Sequence, residues 1–493
     1  MIKKYITFSI LFCLTAFAYA QNIEDKLVER LVDYASIYTQ SEYDVDEVPS
    51  SKYQFGLALL LADELDSLGA KDVKVDEHSY VYATIPGNMK NAPILFLSSH
   101  LDTSPDLDLQ GKTPIPVIHE YNGGNLVINK ELNVVLTPEK NEFLKDAIGG
   151  KVITSDGTTL LGGDDKAGMS VVMTIAETLL KNPSIPHGDI RIIFTPDEEI
   201  GNSTKYLTKN KIGADFGLVV DSHGFGRIVV ENFNATDYNV TIKTPPAGHP
   251  GYSSKVSGLR IANNFANRLP EYLASFNSSG KKGYMDYHKM GKNTDGEDVV
   301  YGRLRSFSTS EINRYKNKLR RKAKRTAGKY NMDYVEINNG EIVTGGDDSS
   351  PAVVLTFKDS YFNSKNILEK YPTNYKLIEQ SYKEAGVKMR AESGRGGSDA
   401  GDITYFGIPT YNIFAGSHNE HSNDEWVSSK QMLASYNVIS KYIKLMSQQD
   451  RLTMLREGNP RYTPEIPELN MKKFEDVYQK MSEKYGNSFS NIK

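Results

Sequence analysis

One histidine and several carboxylates follow directly after short apolar stretches of this chain. The stretches are PILFLSSHLD, TTLLGGDD, RIIFTPDEE and FGLVVD, and the polar residues at their ends are His100, Asp102, Asp164, Glu198, Glu199 and Asp221. Each stretch is short and bounded by turn residues, which is typical of a strand buried on both faces. Ligands of open α/β sheets bind beyond the carboxyl ends of such strands. With His421 from late in the chain, these side chains predict a socket for divalent metal ions.

The same residues can be divided between two metal ions. Two ions roughly 3.5–4 Å apart need a carboxylate that bridges them, and together they activate one shared hydroxide. We expect His100, Asp164 and Asp221 to hold one ion. We expect Asp164, Glu199 and His421 to hold the other, with Asp164 as the bridge.

Two further carboxylates fit supporting roles. Asp102 stands two residues after His100 and can accept its spare ring N–H, which fixes the imidazole tautomer. Glu198 adjoins the expected ligand Glu199, so it is better suited to take a proton from the shared water and deliver it to the leaving amine.

Taken one at a time, these motifs have ordinary alternatives. An H-x-D triplet is common in surface turns, an Asp-Asp pair such as Asp164–Asp165 commonly caps a helix, and a Glu-Glu pair is commonly solvated. His421 lies in the polar segment SHNEHSNDEW, where a histidine is normally structural or exposed. The metal site is favoured because the motifs occur together, each after an expected buried strand.

Length and composition predict a two-domain globular protein with an N-terminal leader. The chain has 493 residues, 39% of them hydrophobic and 24% charged, which exceeds one ordinary domain. Residues 1–20 combine a basic start, a short apolar stretch and the Ala18-Tyr19-Ala20 pattern of a secretory signal peptide. We therefore expect export to a periplasm or the medium. Cleavage would remove Cys13, the only cysteine, and any metal site must then use histidine and carboxylate.

Charge argues against a nucleic-acid partner. The formal charge of −4 becomes −6 once Lys3 and Lys4 leave with the leader, and a mildly acidic protein suits neither DNA nor RNA. The basic run from Arg314 to Arg325 is expected to be the solvated face of a helix. After cleavage, no membrane anchor is expected in the mature chain.

The periodicity of apolar residues divides the mature chain into four parts. Residues 21–232 alternate strand-like and helical segments and predict the first part of a layered α/β catalytic domain, with helices over 25–39 and 53–68. Residues 233–360 predict an inserted α+β lid with about four strands, helices over 259–274 and 309–328, and a polar loop at 338–351. Residues 361–449 complete the α/β domain, with a helix over 367–386. Residues 450–493 predict a helical extension that packs on its own body.

Seven segments carry a resemblance to a known family: SSHLDTSPD, TTLLGGDDKAGMS, IPHGDIRIIFTPDEEIG, VENFNA, GHPG, DSYFN and GRGGSDAG. They resemble the tripeptide aminopeptidases of the peptidase T family. That family belongs to a wider group of dizinc metallopeptidases that includes carboxypeptidase G and succinyl-diaminopimelate desuccinylase. The likeness runs from about residue 25 to about residue 445.

The resemblance implies a dizinc catalytic domain with an inserted lid that also forms a homodimer contact. It implies metal ligands at His100, Asp164, Glu199, Asp221 and His421, with Glu198 as general base, Asp102 as the orienting acid, and a cis peptide bond after Asp164. His418 is the second candidate for the ligand at His421. Two Zn²⁺ ions are expected, although Co²⁺ and Mn²⁺ also suit such ligands.

The resemblance also implies residues that contact the peptide. His249 in AGHPG matches a histidine that stabilises the tetrahedral oxyanion, often across the dimer. Arg395 in GRGGSDAG and Arg305 in GRLRSF match arginines that hold the terminal carboxylate of the peptide. The motif at Arg305 departs from the family, because Ser306 stands where an acidic residue is usual.

The sequence thus predicts an exported dizinc aminopeptidase that removes the N-terminal residue from short peptides, with tripeptides as the expected class. The alternatives are another metal-dependent amide hydrolase of the family, such as a dipeptidase, carboxypeptidase or deacylase, and an inactive peptide-binding protein. The leader, the enlarged loop near 338–351 and the extension after 450 depart from the family, so they leave the preferred peptide length open.

Overall fold

A computed structural model describes residues 22–107, 109, 111–244, 256–345 and 351–461. The predicted leader, His249, the centre of the polar loop at 338–351 and the extension after residue 461 lie outside these ranges. Within the described residues, each helix is too short or too polar to cross a membrane.

The strands and helices are numbered along the chain. The strands are β1 (Lys71–Val75), β2 (Val81–Ile85), β3 (Leu95–His100), β4 (Val117–Tyr121), β5 (Leu126–Asn129), β6 (Val134–Leu136), β7 (Gly150–Thr154), β8 (Ile190–Thr195), β9 (Phe216–Ser222), β10 (Arg227–Asn232), β11 (Asn234–Lys243), β12 (Tyr284–Lys292), β13 (Asp298–Ser306), β14 (Asp333–Asn338), β15 (Glu341–Thr344), β16 (Ala352–Tyr361), β17 (Arg390–Gly394), β18 (Thr410–Phe414), β19 (Ser417–His418) and β20 (Trp426–Ser428). The helices are α1 (22–35), α2 (Gln54–Leu68), α3 (Gly163–Lys181), α4 (Lys209–Ile212), α5 (Gly258–Ala266), α6 (Thr309–Lys329), α7 (Lys365–Leu368), α8 (Pro372–Glu384), α9 (Asp399–Tyr405), α10 (Ser429–Met446) and α11 (Arg451–Gly458).

The largest sheet has eight strands in the order β1-β2-β8-β3-β9-β18-β10-β17. Its four central strands, β8, β3, β9 and β18, are parallel. Successive residues of β3 pack on opposite faces, because Leu95 and Leu97 join one core whereas Phe96 joins another. Strands buried on both faces are apolar along their whole length, which explains the uninterrupted apolar stretches in the sequence.

Helices cover both faces of this sheet. On one face, α1, α2, α3, α8 and α10 share the larger core, and on the other α4 and α9 contribute to the smaller one. Helix α3 lies very close to β9, since a β-carbon at Gly168 would collide with the carbonyl oxygen of Val220. Glycine at position 168 therefore lets the start of α3 approach the strand that carries Asp221.

A six-stranded sheet in the order β12-β13-β11-β16-β14-β15 is built from residues 234–361. Helices α5 and α6 pack on this sheet, and Phe265, Leu319 and Leu355 belong to its separate core. Arg314, Arg321, Lys324 and Arg325 are exposed on the side of α6 that faces away from that core. The predicted layered α/β class with an inserted α+β unit is confirmed, while the predicted domain boundaries stay predictions. Two small sheets, β19-β20-β7-β4 and β5-β6, complete the architecture.

Several predicted elements differ from the structure. The helix predicted over 259–274 ends at Ala266, and two short 3-10 turns follow Pro270. The helix predicted over 367–386 is divided into α7 and α8 at Pro372, whose ring cannot continue a helix from the preceding turn. The inserted unit has six strands rather than about four. Part of the predicted polar loop forms β15, which pairs with β14, and residues Tyr284–Lys292 form β12, which pairs with β13.

Candidate metal centre

The central parallel strands deliver most of the predicted ligands to one edge of the large sheet. Strand β3 ends at His100, and β9 contains Asp221 one residue before its end. Strand β8 ends at Thr195 and leads into the turn that carries Glu199. The carboxyl ends of parallel strands lie at the same edge, so these three side chains converge. His421 reaches the same place from the loop between β19 and β20.

Two groups of potential metal ligands result. In one, Nε2 of His100 lies 3.0 Å from Oδ1 of Asp164 and 3.7 Å from Oδ1 of Asp221. In the other, Nε2 of His421 lies 3.5 Å from Oδ2 of Asp164 and 2.8 Å from Oε2 of Glu199. Within each group, the ligand atoms lie within 4.8 Å of one another. These are the two sets of residues that the sequence suggested for two ions.

Asp164 belongs to both groups through different oxygens. Its Oδ1 faces His100 and its Oδ2 faces His421. The peptide bond from Asp164 to Asp165 is cis, as the resemblance implied. Asp165 belongs to neither group. Asp164 and Asp165 have non-helical backbone angles, and Asp165 caps the regular part of α3, since its Oδ1 accepts the backbone N–H of Gly168 at 3.1 Å. The helix-cap alternative therefore describes Asp165, whereas Asp164 is placed to bridge.

The segment before Asp164 is not a strand, contrary to the sequence-based prediction. The backbone N–H groups of Leu161, Gly162 and Asp164 donate to the carboxylate of Glu425, at 2.7, 2.8 and 2.9 Å. The buried carboxylate of Glu425 thus accepts from backbone N–H groups that would otherwise need the carbonyl groups of a neighbouring strand. The side chain of Glu425 holds the loop that presents Asp164.

Asp102 positions two of the other acidic residues. Its carboxylate accepts the backbone N–H groups of Glu198 at 3.0 Å and Glu199 at 3.2 Å. The Nδ1 atom of His100 lies 3.0 Å from the carbonyl oxygen of Asp102 and 3.3 Å from its carboxylate. Asp102 therefore lies where it can orient His100, and it also fixes the Glu198–Glu199 turn.

The turn that carries Glu198 and Glu199 is preceded by a residue in the left-handed backbone conformation. Asp197 has a φ of 55°, and its buried carboxylate accepts from Ser50 and from Gln54. These contacts anchor the turn to the start of α2. They hold Asp197 in a conformation that is uncommon for a residue with a β-carbon.

His421 is held through both ring nitrogens. Its Nε2 faces Glu199 and Asp164, while its Nδ1 lies 2.9 Å from Asp106 and 3.2 Å from Ser104. His418, the second candidate ligand, lies elsewhere. Its ring is buried and stacks on Trp426, and its Nε2 lies 2.6 Å from Gln431.

The charged groups at the centre shift one another's pKa values. Burial alone would raise the pKa of Asp164, but the hydrogen bonds with His100 and His421 hold it well below the usual value. Contacts with Asp164 and Glu199 raise the pKa of His421 to about 11. The charge of Asp164 in turn helps to raise the pKa of both neighbouring imidazoles, His100 and His421.

The remaining carboxylates are more numerous than these cations can neutralise. Burial, followed by the charge of Asp164, raises the pKa of Glu199 to about 7. The same two causes raise the pKa of Asp221 well above its usual value. Oε1 of Glu199 is buried without a hydrogen-bond partner among the described residues. A buried oxygen without a partner, close to other carboxylates and imidazoles, is available to bind a divalent cation. The residues therefore fit two metal ions.

A cavity of about 270 Å³ opens beside both ligand groups. Its lining includes Glu198, which the sequence predicted as the base, and Arg395, one of the predicted carboxylate anchors. However, the guanidinium of Arg395 is engaged: it donates to the carbonyl oxygens of Ser278, Gly280 and Lys282 and to the Ser278 hydroxyl.

Arg305, the other predicted anchor, lies away from this cavity. It is on β13 of the six-stranded sheet, where its guanidinium lies 3.1 Å from Asp237 and above the ring of Tyr361. The structure does not bring Arg305 to the metal ligands. A part-buried ion pair with Asp237 accounts for an arginine at this position.

Sequence reasoning missed several residues that shape the site. Asp106 supports His421, Glu425 holds the Asp164 loop, and His223 and Arg227 line the cavity. Glu425 had a signal, because it directly precedes Trp426 in the motif that contains His421. For Arg227 no pattern in the sequence indicated a role.

The chain matches a known family by sequence. The sequence profile described as "Peptidase family M20/M25/M40" matches residues 160–445. A curated Peptidase T from Geobacillus kaustophilus is 33% identical over 431 residues, which cover 87% of this chain and 100% of the relative. Another, from Halothermothrix orenii, is 35% identical over 424 residues, which cover 85% of this chain and 98% of the relative.

Solved structures show the same fold. An aminopeptidase PepT from Bacillus cereus has a TM-score of 0.62 at 20% identity, covering 86% of this chain and 99% of that one. A tripeptidase from Staphylococcus aureus has a TM-score of 0.61 at 22% identity with the same coverage. A dinuclear metal binding peptidase from Bacillus subtilis has a TM-score of 0.55 at 13% identity, covering 86% of this chain and 98% of that one.

Proposed function

The chain belongs to peptidase family M20/M25/M40, and from this we propose that it is a metal-dependent aminopeptidase that removes the N-terminal residue of short peptides, with tripeptides as the expected class. The curated relatives are named Peptidase T. Two similar solved structures are named an aminopeptidase and a tripeptidase. These names support the substrate class.

The position of Asp164 is the observation that carries the proposal. Its two carboxylate oxygens face two separate groups of ligand atoms, and both groups border one cavity. His100, Asp164 and Asp221 would hold one ion, and Asp164, Glu199 and His421 the other. Bound there, two divalent cations would polarise the scissile carbonyl and lower the pKa of a water molecule.

Glu198 is the residue that we propose moves the proton. Burial raises the pKa of its carboxyl well above the usual value, which suits a group that must accept a proton and then release it to the leaving amine. Its backbone N–H is fixed by Asp102 at 3.0 Å, so the chain segment that carries the base is held in place before the substrate arrives. His249 is proposed to stabilise the oxyanion, on the resemblance alone, because it lies outside the described residues.

A peptide series with and without metal tests this function. Di-, tri- and tetrapeptides, each with a free or an acetylated N-terminus, are incubated with purified protein, with protein treated with chelator, and after zinc is restored. We expect release of the N-terminal residue from free tripeptides, loss of turnover after chelation, and recovery with zinc.

Other outcomes separate the alternatives. Faster hydrolysis of acetylated than of free peptides would indicate a deacylase or carboxypeptidase of the same family instead of an aminopeptidase. Binding of peptides without any hydrolysis in the metal-loaded protein would favour a binding protein.

Three expectations from the sequence stand as further proposals. We propose zinc as the native metal, a homodimer formed through the inserted unit, and export of the mature chain. Metal analysis of protein purified without added metal, light scattering of the purified protein, and cell fractionation test them in turn.

A further inference from the structure

A second cavity, of about 290 Å³, adjoins the one at the metal ligands. The two cavities share His223 and Arg227 in their linings, so they meet at these side chains. Phe143 and Trp426 line the second cavity as well. Arg227 therefore borders both the space beside the metal ligands and this second cavity.

Arg227 lies beside another arginine. Strands β10 and β17 pair in parallel, with Arg227 opposite Arg390 and Val229 opposite Glu392. Side chains two residues apart on a strand point to the same face, so Arg390 and Glu392 stand together next to Arg227. Arg390 lies over the ring of Phe143, 4.6 Å from its centre.

These three charged residues do not balance. Nη2 of Arg390 donates to Glu392 at 2.6 Å, and Nε of Arg227 lies 3.1 Å from the other oxygen of Glu392. Two guanidinium groups thus share one carboxylate and leave one positive charge in excess. In addition, Nε of Arg227 makes no hydrogen bond of good geometry with a described residue. His223, the other shared residue, faces its own carboxylate, Glu420, at 3.2 Å.

The two arginines that the sequence suggested as anchors for the carboxylate of the peptide already have other partners. Arg395 donates to three backbone carbonyl groups of the segment 278–282, and Arg305 pairs with Asp237. Arg227 lines the metal-site cavity. Its one carboxylate neighbour among the described residues is Glu392, which it shares with Arg390.

We propose that Arg227, supported by Arg390, binds a carboxylate of the substrate peptide at the junction of the two cavities. The inference rests on the proposed aminopeptidase function and adds a substrate preference, namely short peptides that carry a carboxylate beyond the scissile bond. That carboxylate is either the C-terminus of the peptide or an acidic side chain. A planar guanidinium suits either, because it offers two parallel N–H donors to one carboxylate.

Steady-state kinetics on matched peptides tests this inference. The substrates are Leu-Gly-Gly, its C-terminal amide, and the amides of Leu-Glu-Gly and Leu-Gln-Gly. For the wild-type protein loaded with zinc we expect a kcat/KM at least tenfold higher for a peptide with a carboxylate than for its neutral counterpart. Preference for Leu-Gly-Gly over its amide identifies the C-terminus as the group bound. Preference for the Glu peptide over the Gln peptide identifies a side chain.

The variant Arg227→Gln should remove that preference. A hydrogen bond to a charged group contributes enough that its loss lowers kcat/KM about tenfold to a hundredfold, and we expect this through KM and only for the peptide with the carboxylate. Arg227→Lys should recover part of it. The fold should tolerate Arg227→Gln because Arg390 and Glu392 remain as a neutral pair, and Arg390→Gln provides a second variant if it does not.

Two controls make the outcome decisive. Arg320→Gln removes a half-exposed arginine that pairs with Glu336 on the inserted unit and should leave all four rates unchanged. Arg395→Gln should affect acid and amide alike. The inference is overturned if wild type does not distinguish acid from amide or Glu from Gln, or if Arg395→Gln rather than Arg227→Gln abolishes the preference. Failure to hydrolyse any free peptide would instead overturn the proposed function.

Discussion

At the scale of residues, the potential metal ligands are distinct from the residue that we propose moves a proton. Glu198 and Glu199 are neighbours in sequence, and Asp102 accepts the backbone N–H of both. Only Glu199 faces His421 and Asp164 in a cluster of ligand atoms. Two adjacent glutamates therefore have different partners, and mutation can tell their roles apart.

Replacing Glu198 with glutamine should abolish proton transfer and spare the metal. We expect kcat to fall by about 10²- to 10⁴-fold, the usual contribution of a positioned acid–base group, with two metal ions per chain retained. Peptide hydrolysis and metal analysis measure the two effects. Glu199→Gln is the matched control and should lower metal content. Full turnover by Glu198→Gln would contradict the proposed mechanism.

The histidine that does not join the ligands should make stability depend on pH. Burial lowers the pKa of His418 to about 4, whereas an unfolded histidine titrates near 6.5. Between these values the unfolded chain binds a proton that the folded chain does not, so stability falls as the pH decreases from about 6.5 to about 4. The loss over this window is roughly 3 kcal/mol.

Urea unfolding at pH 7 and pH 5 checks this prediction. His418→Phe keeps a ring between Phe143 and Trp426 but cannot titrate, so its free energy of unfolding should fall less between the two pH values than that of the wild type. Because both proteins retain the same metal ligands, their common pH dependence cancels in the comparison. Equal losses in the two proteins would show that His418 does not contribute.

At the scale of elements, loops between strands and helices supply what the strand ends alone do not. Strand β3 places His100 and β9 places Asp221, but Asp164 depends on a loop before α3 that has no strand partner. The backbone N–H groups of that loop donate to the carboxylate of Glu425, next to the start of β20. Asp164, the proposed bridge, is thus positioned by a side chain more than 250 positions away in the sequence.

Removing that carboxylate should loosen the loop. Glu425→Ala leaves three buried N–H donors without an acceptor, and we expect a loss of stability of about 2–5 kcal/mol together with weaker metal binding. Thermal unfolding and metal titration measure both. Glu425→Gln keeps the size and one acceptor oxygen, so its effect should be smaller. If both variants unfold and bind metal as the wild type does, Glu425 does not hold the loop.

At the scale of the whole molecule, the inserted unit contacts the wall of the metal-site cavity. Arg395, in the segment that follows β17, donates to the carbonyl oxygens of residues 278, 280 and 282. Lys281, which lies among residues 278–282 of the inserted unit, pairs with Glu231 near the end of β10. These contacts join the two sheets beside the site.

Loss of the Arg395 contacts should free that segment. In Arg395→Gln we expect faster amide hydrogen exchange across residues 278–283 than in the wild type, because backbone groups that are held there become free to open. Arg320→Gln, on α6 of the same unit, is the control and should leave the exchange of this segment unchanged. Identical exchange in wild type and Arg395→Gln would show that the segment is held by other contacts.

Much of the fold class could be read from the sequence. Apolar strands buried on both faces, followed by His100, Glu198 and Asp221, leave a strong pattern, because a two-faced strand must be apolar until it ends. The breaks next to proline were not predicted. Pro270 and Pro372 divide segments whose apolar spacing resembles longer helices.

The sequence by itself determined the chemical types available and their order: imidazole and carboxylate after the strands, and His421 late in the chain. Only the tertiary structure decided which side chains face one another. It turned Asp164 toward both ligand groups while Asp165 caps a helix, buried His418 away from His421, and left Arg227 rather than Arg305 in the cavity. The physical reason is that the contact of Glu425 with the Asp164 loop and the pairing of Arg227 with Glu392 depend on loop contacts and strand register between distant segments, which local spacing does not encode.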